Sequence, residues 1–138
     1  MIDSSPLRYL TVDDVWAINN AVLGQEGQTP LLRDRAALEG ALMRPQTAAH
    51  YERADVDTQT AILIAAVALA HAFLDGNKRT AMIAGAVFLD FNGFTTDFAP
   101  NDDALGRRIE ALIADHQQAE TAIQRFSEWL RPHISRAP

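Results

Sequence analysis

The stretch HAFLDGNKRTA, His71 to Ala81, places a histidine, a carboxylate, an amide, an ammonium and a guanidinium within nine residues, directly after the apolar run Ala61 to Ala70. Asp75-Gly76 is a turn signal between two helices. It puts His71 in the last turn of the first helix and makes Asn77 to Thr80 the first turn of the second. A helix start offers backbone N–H groups with no intrahelical partner and the positive end of the macrodipole, so it is ready to hold an anion. Lys78 and Arg79 add side-chain charge there, and Arg79 can grip phosphate oxygens with two N–H groups. Gly76 allows a ligand close to the backbone because no Cβ intervenes. Asp75 could hold a Mg²⁺ that bridges phosphate oxygens, and His71 could take a proton from an attacking hydroxyl. Together these are the parts for transferring a phosphate-containing group. The same residues would also serve an ordinary corner, with Asn77 as a cap, Lys78 and Arg79 in solvent and His71 hydrogen-bonded near the core.

The elements that must position this corner read as helices. Thr11-Val12-Asp13-Asp14 has the spacing of a capping box. It predicts a helix over Val12 to Leu23, with Val15, Ile18, Val22 and Leu23 facing inward beside Trp16, and Gly24 as its end. The segment GQEGQTPLLRDR reads as a loop or small β-hairpin. Asp34 caps the next predicted helix, which carries Leu38, Leu42 and Met43 and stops at Pro45. A weaker helical piece follows over Thr47 to Arg53. Asp55 or Asp57 starts the central helix, apolar on all sides and therefore enclosed by others. The helix from Asn77 runs to about Phe91, where Asn92-Gly93 is a left-handed stop. Asn101 or Asp102 caps a helix through Ala114, and AETAIQRFSEWLR forms the last. The expectation is one all-α domain over residues 1–138, of six or seven helices, with a single non-helical excursion near 25–32.

Composition narrows the function. A chain of 138 residues with 48% hydrophobic content supports one buried core. A formal charge of −6 argues against nonspecific nucleic-acid binding, and the absence of cysteine excludes disulfides and thiolate metal sites. The N-terminus lacks the pattern of a secretory signal and no apolar run is long enough for a bilayer span, so a cytoplasmic protein without membrane association is expected. His50, His116 and His133 have no partners at metal-ligand spacing. Asp13-Asp14 and Asp102-Asp103 read as helix-start charges, Arg107-Arg108 as a solvent face, and Trp16, Phe126 and Trp129 as core.

Over His71, Phe73, Asp75, Gly76, Asn77, Lys78 and Arg79 the chain resembles the Doc branch of the Fic/Doc superfamily, whose pattern is HxFxD(A/G)NKR. The resemblance extends from LTVDDVWAINNAVLG to AVFLDFNGF, roughly residues 8–95. It implies a compact Fic/Doc helical domain with a small β-hairpin flap. It also implies His71 as the base that activates a protein hydroxyl, Asp75 as the Mg²⁺ ligand, and Gly76, Asn77, Lys78 and Arg79 as the grip on the phosphates of ATP. Phe73 would anchor the loop. Gln28, Thr29, Pro30 and Leu31 would form the flap that aligns a target segment by backbone pairing.

The departures from the Fic pattern separate two activities. Lys78 stands where Fic enzymes have glycine, Met82 where they have a second arginine, and Ala72 where proline is usual. The lysine would crowd the cradle for the α- and β-phosphates, so transfer of the γ-phosphoryl group is favoured over AMP transfer. By resemblance the target would be elongation factor Tu and the consequence translation arrest. A catalytically idle binding module is the other alternative. Neither Glu26-Gly27 nor Glu39-Gly40 completes the self-inhibitory motif (S/T)xxxE(G/N), so restraint would come from outside, by a Phd-like antitoxin whose tail orders on binding.

Overall fold

Aspartates take part in the starts of four helices, as their positions predict. In a computed structural model describing residues 6–25, 31–99, 102–115 and 119–138, α1 spans Val12–Gln25 and opens on a reciprocal capping box. The Thr11 N–H donates to Asp14 Oδ2 at 2.8 Å, and the Asp14 N–H donates to Thr11 Oγ1 at 3.1 Å. Asp34 caps α2, Arg35–Glu52, by accepting from the Ala37 N–H, and Asp55 caps α3, Val56–Ala70, by accepting from Thr58. After α4, Asn77–Phe91, Asp102 caps α5, Asp103–Ala114, through the Leu105 N–H. Helix α6, Ala119–Leu130, leads through a 3-10 turn into the C-terminal strand.

Helix α3 is the axis of the all-α fold. Residues from Gln59 to Ala68, apart from Ile62, are buried on every face, and α2, α4, α5 and α6 pack around them. Alanines on α3 and Gly85 on α4 bring the two helices into close contact: a Cβ at Gly85 would lie 2.5 Å from Ile64 Cδ1. Helix α1 lies over α4 and α2. Tyr9, stacked on Phe88, donates its hydroxyl to the Gln59 amide oxygen at 2.7 Å, and burial raises its pKa.

Four expectations are corrected. Helix α1 runs past Gly24 to Gln25, and Gly24 keeps an ordinary helical conformation. Helix α2 does not stop at Pro45 but absorbs the following piece, ending at Arg53 in the left-handed region. Proline inside a helix forfeits a hydrogen bond. Here Pro45 is buried in line with Leu38, Ala41, Leu42 and Ala48, and packing of that face outweighs local propensity. Trp16 is 39% exposed instead of in the core, because the inward face of α1 follows Val12, Val15, Asn19, Val22 and Leu23 and leaves it on the flank. The described strands are Phe94–Thr96 (β1) and Ile134–Arg136 (β2), paired antiparallel with Thr95 opposite Ser135, so the segment near 25–32 is not the single non-helical excursion. Residues 26–30, which carry most of that hairpin, fall outside the described residues. No described helix is long and apolar enough to cross a membrane.

Candidate active site

Between α3 and α4 the chain turns through His71 to Gly76, and both ends of the turn use the left-handed region. His71 closes α3 at φ 47°, one residue beyond the helix, and Gly76 opens α4 at φ 75°. A left-handed conformation is uncommon for a residue with a Cβ and persists where its surroundings over-determine it.

Three sets of contacts do so. From one side, the segment after the predicted flap lies antiparallel to the turn. Arg33 and Asp34 N–H groups donate to the Ala72 carbonyl at 2.7 and 3.0 Å, and the Leu74 N–H donates to Leu31 O at 3.0 Å. The Arg33 guanidinium reaches the His71 carbonyl at 3.3 Å. From within, Asn77 accepts from the Phe73 N–H and donates to the Phe73 carbonyl, while the Phe73 ring is fully buried as an anchor. From below, Asn19 on α1 donates through Nδ2 to the Asp75 carbonyl at 3.0 Å and to Thr80 Oγ1 at 3.1 Å. A Cβ at Gly76 would come within 3.3 Å of that same Asn19 nitrogen and 3.1 Å of Leu23 Cδ2, so the turn is pressed against α1.

The start of α4 differs electrically from its neighbours. Helices α2, α3 and α5 receive a carboxylate at their first N–H groups, and α1 opens on the Thr11–Asp14 capping box. Helix α4 has no side-chain cap and no acidic residue in its first turn, which instead carries Lys78 and Arg79. The Asp75 carboxylate accepts from the Gly76 N–H at 2.8 Å through one oxygen, just outside the helix. Among the described residues no side chain caps the first-turn N–H groups of α4, an arrangement that could receive an anion.

Of the residues singled out in the sequence, His71, Asp75, Gly76, Asn77, Lys78 and Arg79 share this corner. His71 and Asp75 are exposed, and so is Leu31, whose carbonyl is bonded to the turn. Gln28, Thr29 and Pro30 lie outside the described residues. Asn77 holds the loop with its side chain and offers its backbone N–H to the helix start. Lys78 crosses a cleft of about 230 Å³ to Glu110 on α5, and that ammonium holds the Glu110 carboxyl below its usual pKa. The larger cavity, about 660 Å³ between α2 and α6, includes none of these residues.

Of the remaining candidates, His116 lies outside the described residues, and several others are accounted for by packing, capping or pairing. Asp14 and Asp102 are caps, as expected, and Arg107 and Arg108 are exposed. Phe126 is core, while Trp129 is partly buried and stacks on Phe98. His133 pairs with Asp97 at 2.8 Å. Among the described residues no group of three or more His, Asp or Glu is arranged to hold a metal.

Asn19, Arg33 and Glu110 were not anticipated. Asn19 had a readable signal, a polar residue in the inward stripe between Val15 and Val22. It is fully buried, and its Oδ1 has no hydrogen-bond partner. Glu110 had none, since the contact joins residues 32 apart on separate helices.

Comparison with known proteins agrees with this geometry. The model of the Fic/DOC family matches residues 9–89. The "Protein kinase doc" of Escherichia phage P1 is 31% identical over 88 residues, covering 63% of this chain and 70% of the phage protein. The "Toxin Doc" of Mycolicibacterium smegmatis is 36% identical over 89 residues, covering 62% of this chain and 65% of that relative. Because the family match takes in more than half of the sequence and every residue of the turn between α3 and α4, the chain belongs to the Fic/DOC family.

Proposed function

We propose that the protein is a Doc-type toxin enzyme that passes the γ-phosphoryl group of ATP to a hydroxyl on a protein target, elongation factor Tu by resemblance, and so arrests translation. The observation that carries this reading is the α4 start, which no side chain caps and which two cations flank although the chain is acidic overall. The relative named as a kinase adds weight to phosphoryl transfer.

In this reading the N–H groups of Asn77, Lys78 and Arg79 bind phosphate oxygens, and the Lys78 and Arg79 side chains add charge. His71, exposed at the mouth of the turn, accepts the proton of the attacking hydroxyl. The hydroxyl oxygen forms a bond to the γ-phosphorus as the bond to the β-phosphate oxygen breaks and ADP leaves. Asp75 fits a Mg²⁺ that arrives with the nucleotide: one carboxylate oxygen accepts from Gly76, and among the described residues no group of three or more His, Asp or Glu forms a protein-only cage. When bound, that ion would neutralise phosphate charge. The backbone around Leu31, bonded to the turn, gives a target segment a fixed reference beside His71.

Lys78 stands where Fic enzymes have glycine, and by that resemblance its bulk favours γ-transfer over AMP transfer. Control would come from a Phd-like antitoxin in the cytoplasm. No helix of this chain completes the self-inhibitory motif, and Glu39 is engaged by Arg35 at 3.1 Å. The test is incubation with elongation factor Tu, Mg²⁺ and ATP labelled at either the γ- or the α-phosphorus. Label from γ alone is expected; label from α would make the enzyme an AMP transferase, and none from either would leave a binding module.

A further inference from the structure

Lys78 does not stand alone at the start of α4. Its Nζ donates to Glu110 Oε1 at 2.5 Å, and Glu110 belongs to α5, beyond residue 89 where the family match ends. Arg107, one turn earlier on α5, lines the same cleft and also draws the Glu110 carboxyl below its usual pKa. An ammonium has three N–H donors, so two remain after the bond to Glu110. A lysine stem is flexible and samples many rotamers when untethered. The bond to α5 selects those that cross the cleft.

We propose that Glu110 is a positioning residue for the nucleotide grip. By holding the Lys78 ammonium on the α5 wall it restricts the lysine stem to rotamers that cross the cleft, and it leaves two donors for the triphosphate. The inference rests on the reading of Lys78 as a phosphate ligand. A carboxylate near a phosphate also repels it, which would give Glu110 the opposite effect. That carboxylate is exposed, so water and salt screen the repulsion across the cleft, while the bond to Lys78 acts at contact distance.

Equilibrium dialysis of the full chain with labelled Mg²⁺–ATP tests this. Glu110→Ala is expected to weaken binding about two- to fivefold, the range of an exposed ion pair. Glu110→Asp should restore most of the loss, since the flexible stem can reach the shorter carboxylate. In a Lys78→Met background Glu110→Ala should change nothing. Unchanged or tighter binding by Glu110→Ala, or equal weakening with and without Lys78, would overturn the proposal while leaving Lys78 in its role. Wild-type affinity in Lys78→Met would remove the phosphate reading itself, and the inference with it.

Discussion

Replacing Gly76 by alanine tests whether the turn is set by its contact with α1. At φ 75° a Cβ costs about 1–2 kcal/mol in backbone strain alone. The added methyl would also sit 3.1 Å from Leu23 Cδ2 and 3.3 Å from Asn19 Nδ2. Leu23 is 1% exposed and Asn19 is held by two hydrogen bonds, so neither gives way freely. Such crowding adds about 1–2 kcal/mol, at the lower end of overpacking costs. The sum, about 2–4 kcal/mol, corresponds to a melting point lower by about 7–14 °C for a chain of this length. Two further substitutions separate the contributions. Gly93→Ala has the same backbone problem at φ 81° with nothing within 4 Å, and should cost only the strain, about 3–7 °C. Gly40→Ala, helical and also with nothing within 4 Å, should stabilise by about 0.5–1 kcal/mol. Thermal and urea denaturation of the three variants read out the order. If Gly76→Ala is no less stable than Gly93→Ala, the contact with Asn19 and Leu23 does not set the turn, and the account of how α1 positions the site is wrong.

His71→Ala should reduce label transfer by ~10²–10⁴-fold while circular dichroism shows the helices unchanged; wild-type transfer would exclude His71 as the base. Asp75→Asn keeps an acceptor for the Gly76 N–H but removes the charge, so the Mg²⁺ concentration needed for half-maximal activity should rise about tenfold or more. An unshifted Mg²⁺ titration would discard Asp75 as the ligand. Burial raises the Asp55 carboxyl, but hydrogen bonds from Arg131 and Thr58 bring it below its usual pKa overall. Its stabilising contribution is therefore complete above the unfolded value, ~3.9, and is lost as pH falls through the folded one. Arg131→Met should lower stability at neutral pH, with the gap to wild type narrowing below about pH 4. Asp57, pushed up by burial and by Asp55, shifts the balance the other way, so the comparison is made in an Asp57→Asn background. A gap that stays constant with pH would show that Arg131 acts through packing alone.

How much could be read in advance follows from the range of the interactions involved. Thr11, Asp34, Asp55 and Asp102 were legible as helix starts because a cap acts on N–H groups two or three residues away. The corner was legible for the same reason: His71 to Arg79 are consecutive, and their geometry is the geometry of one turn. Pro45 misled because its local cost is visible in the sequence, whereas the burial that offsets it depends on α3. Trp16 misled because apolar spacing defines a stripe but not its edges. Asn19 was open to detection as the one polar residue on an apolar face, although its partners, the Asp75 carbonyl and Thr80, come from a helix assembled much later in the chain. The pairing of β1 with β2 and the bond from Lys78 to Glu110 join distant segments whose residue types are unremarkable, so no spacing announces them.

The contact between Gly85 and Ile64 bears on how such an enzyme can be silenced. Two turns below the corner, the absence of a side chain lets α4 settle onto α3, with Ile64 where a Cβ at Gly85 would stand. The histidine at the end of one rod and the cations at the head of the other are thereby tied to a close contact between the two helices. An inhibitor that worked by prying would have to break the core. One that sits across the opening of the turn has only to cover it.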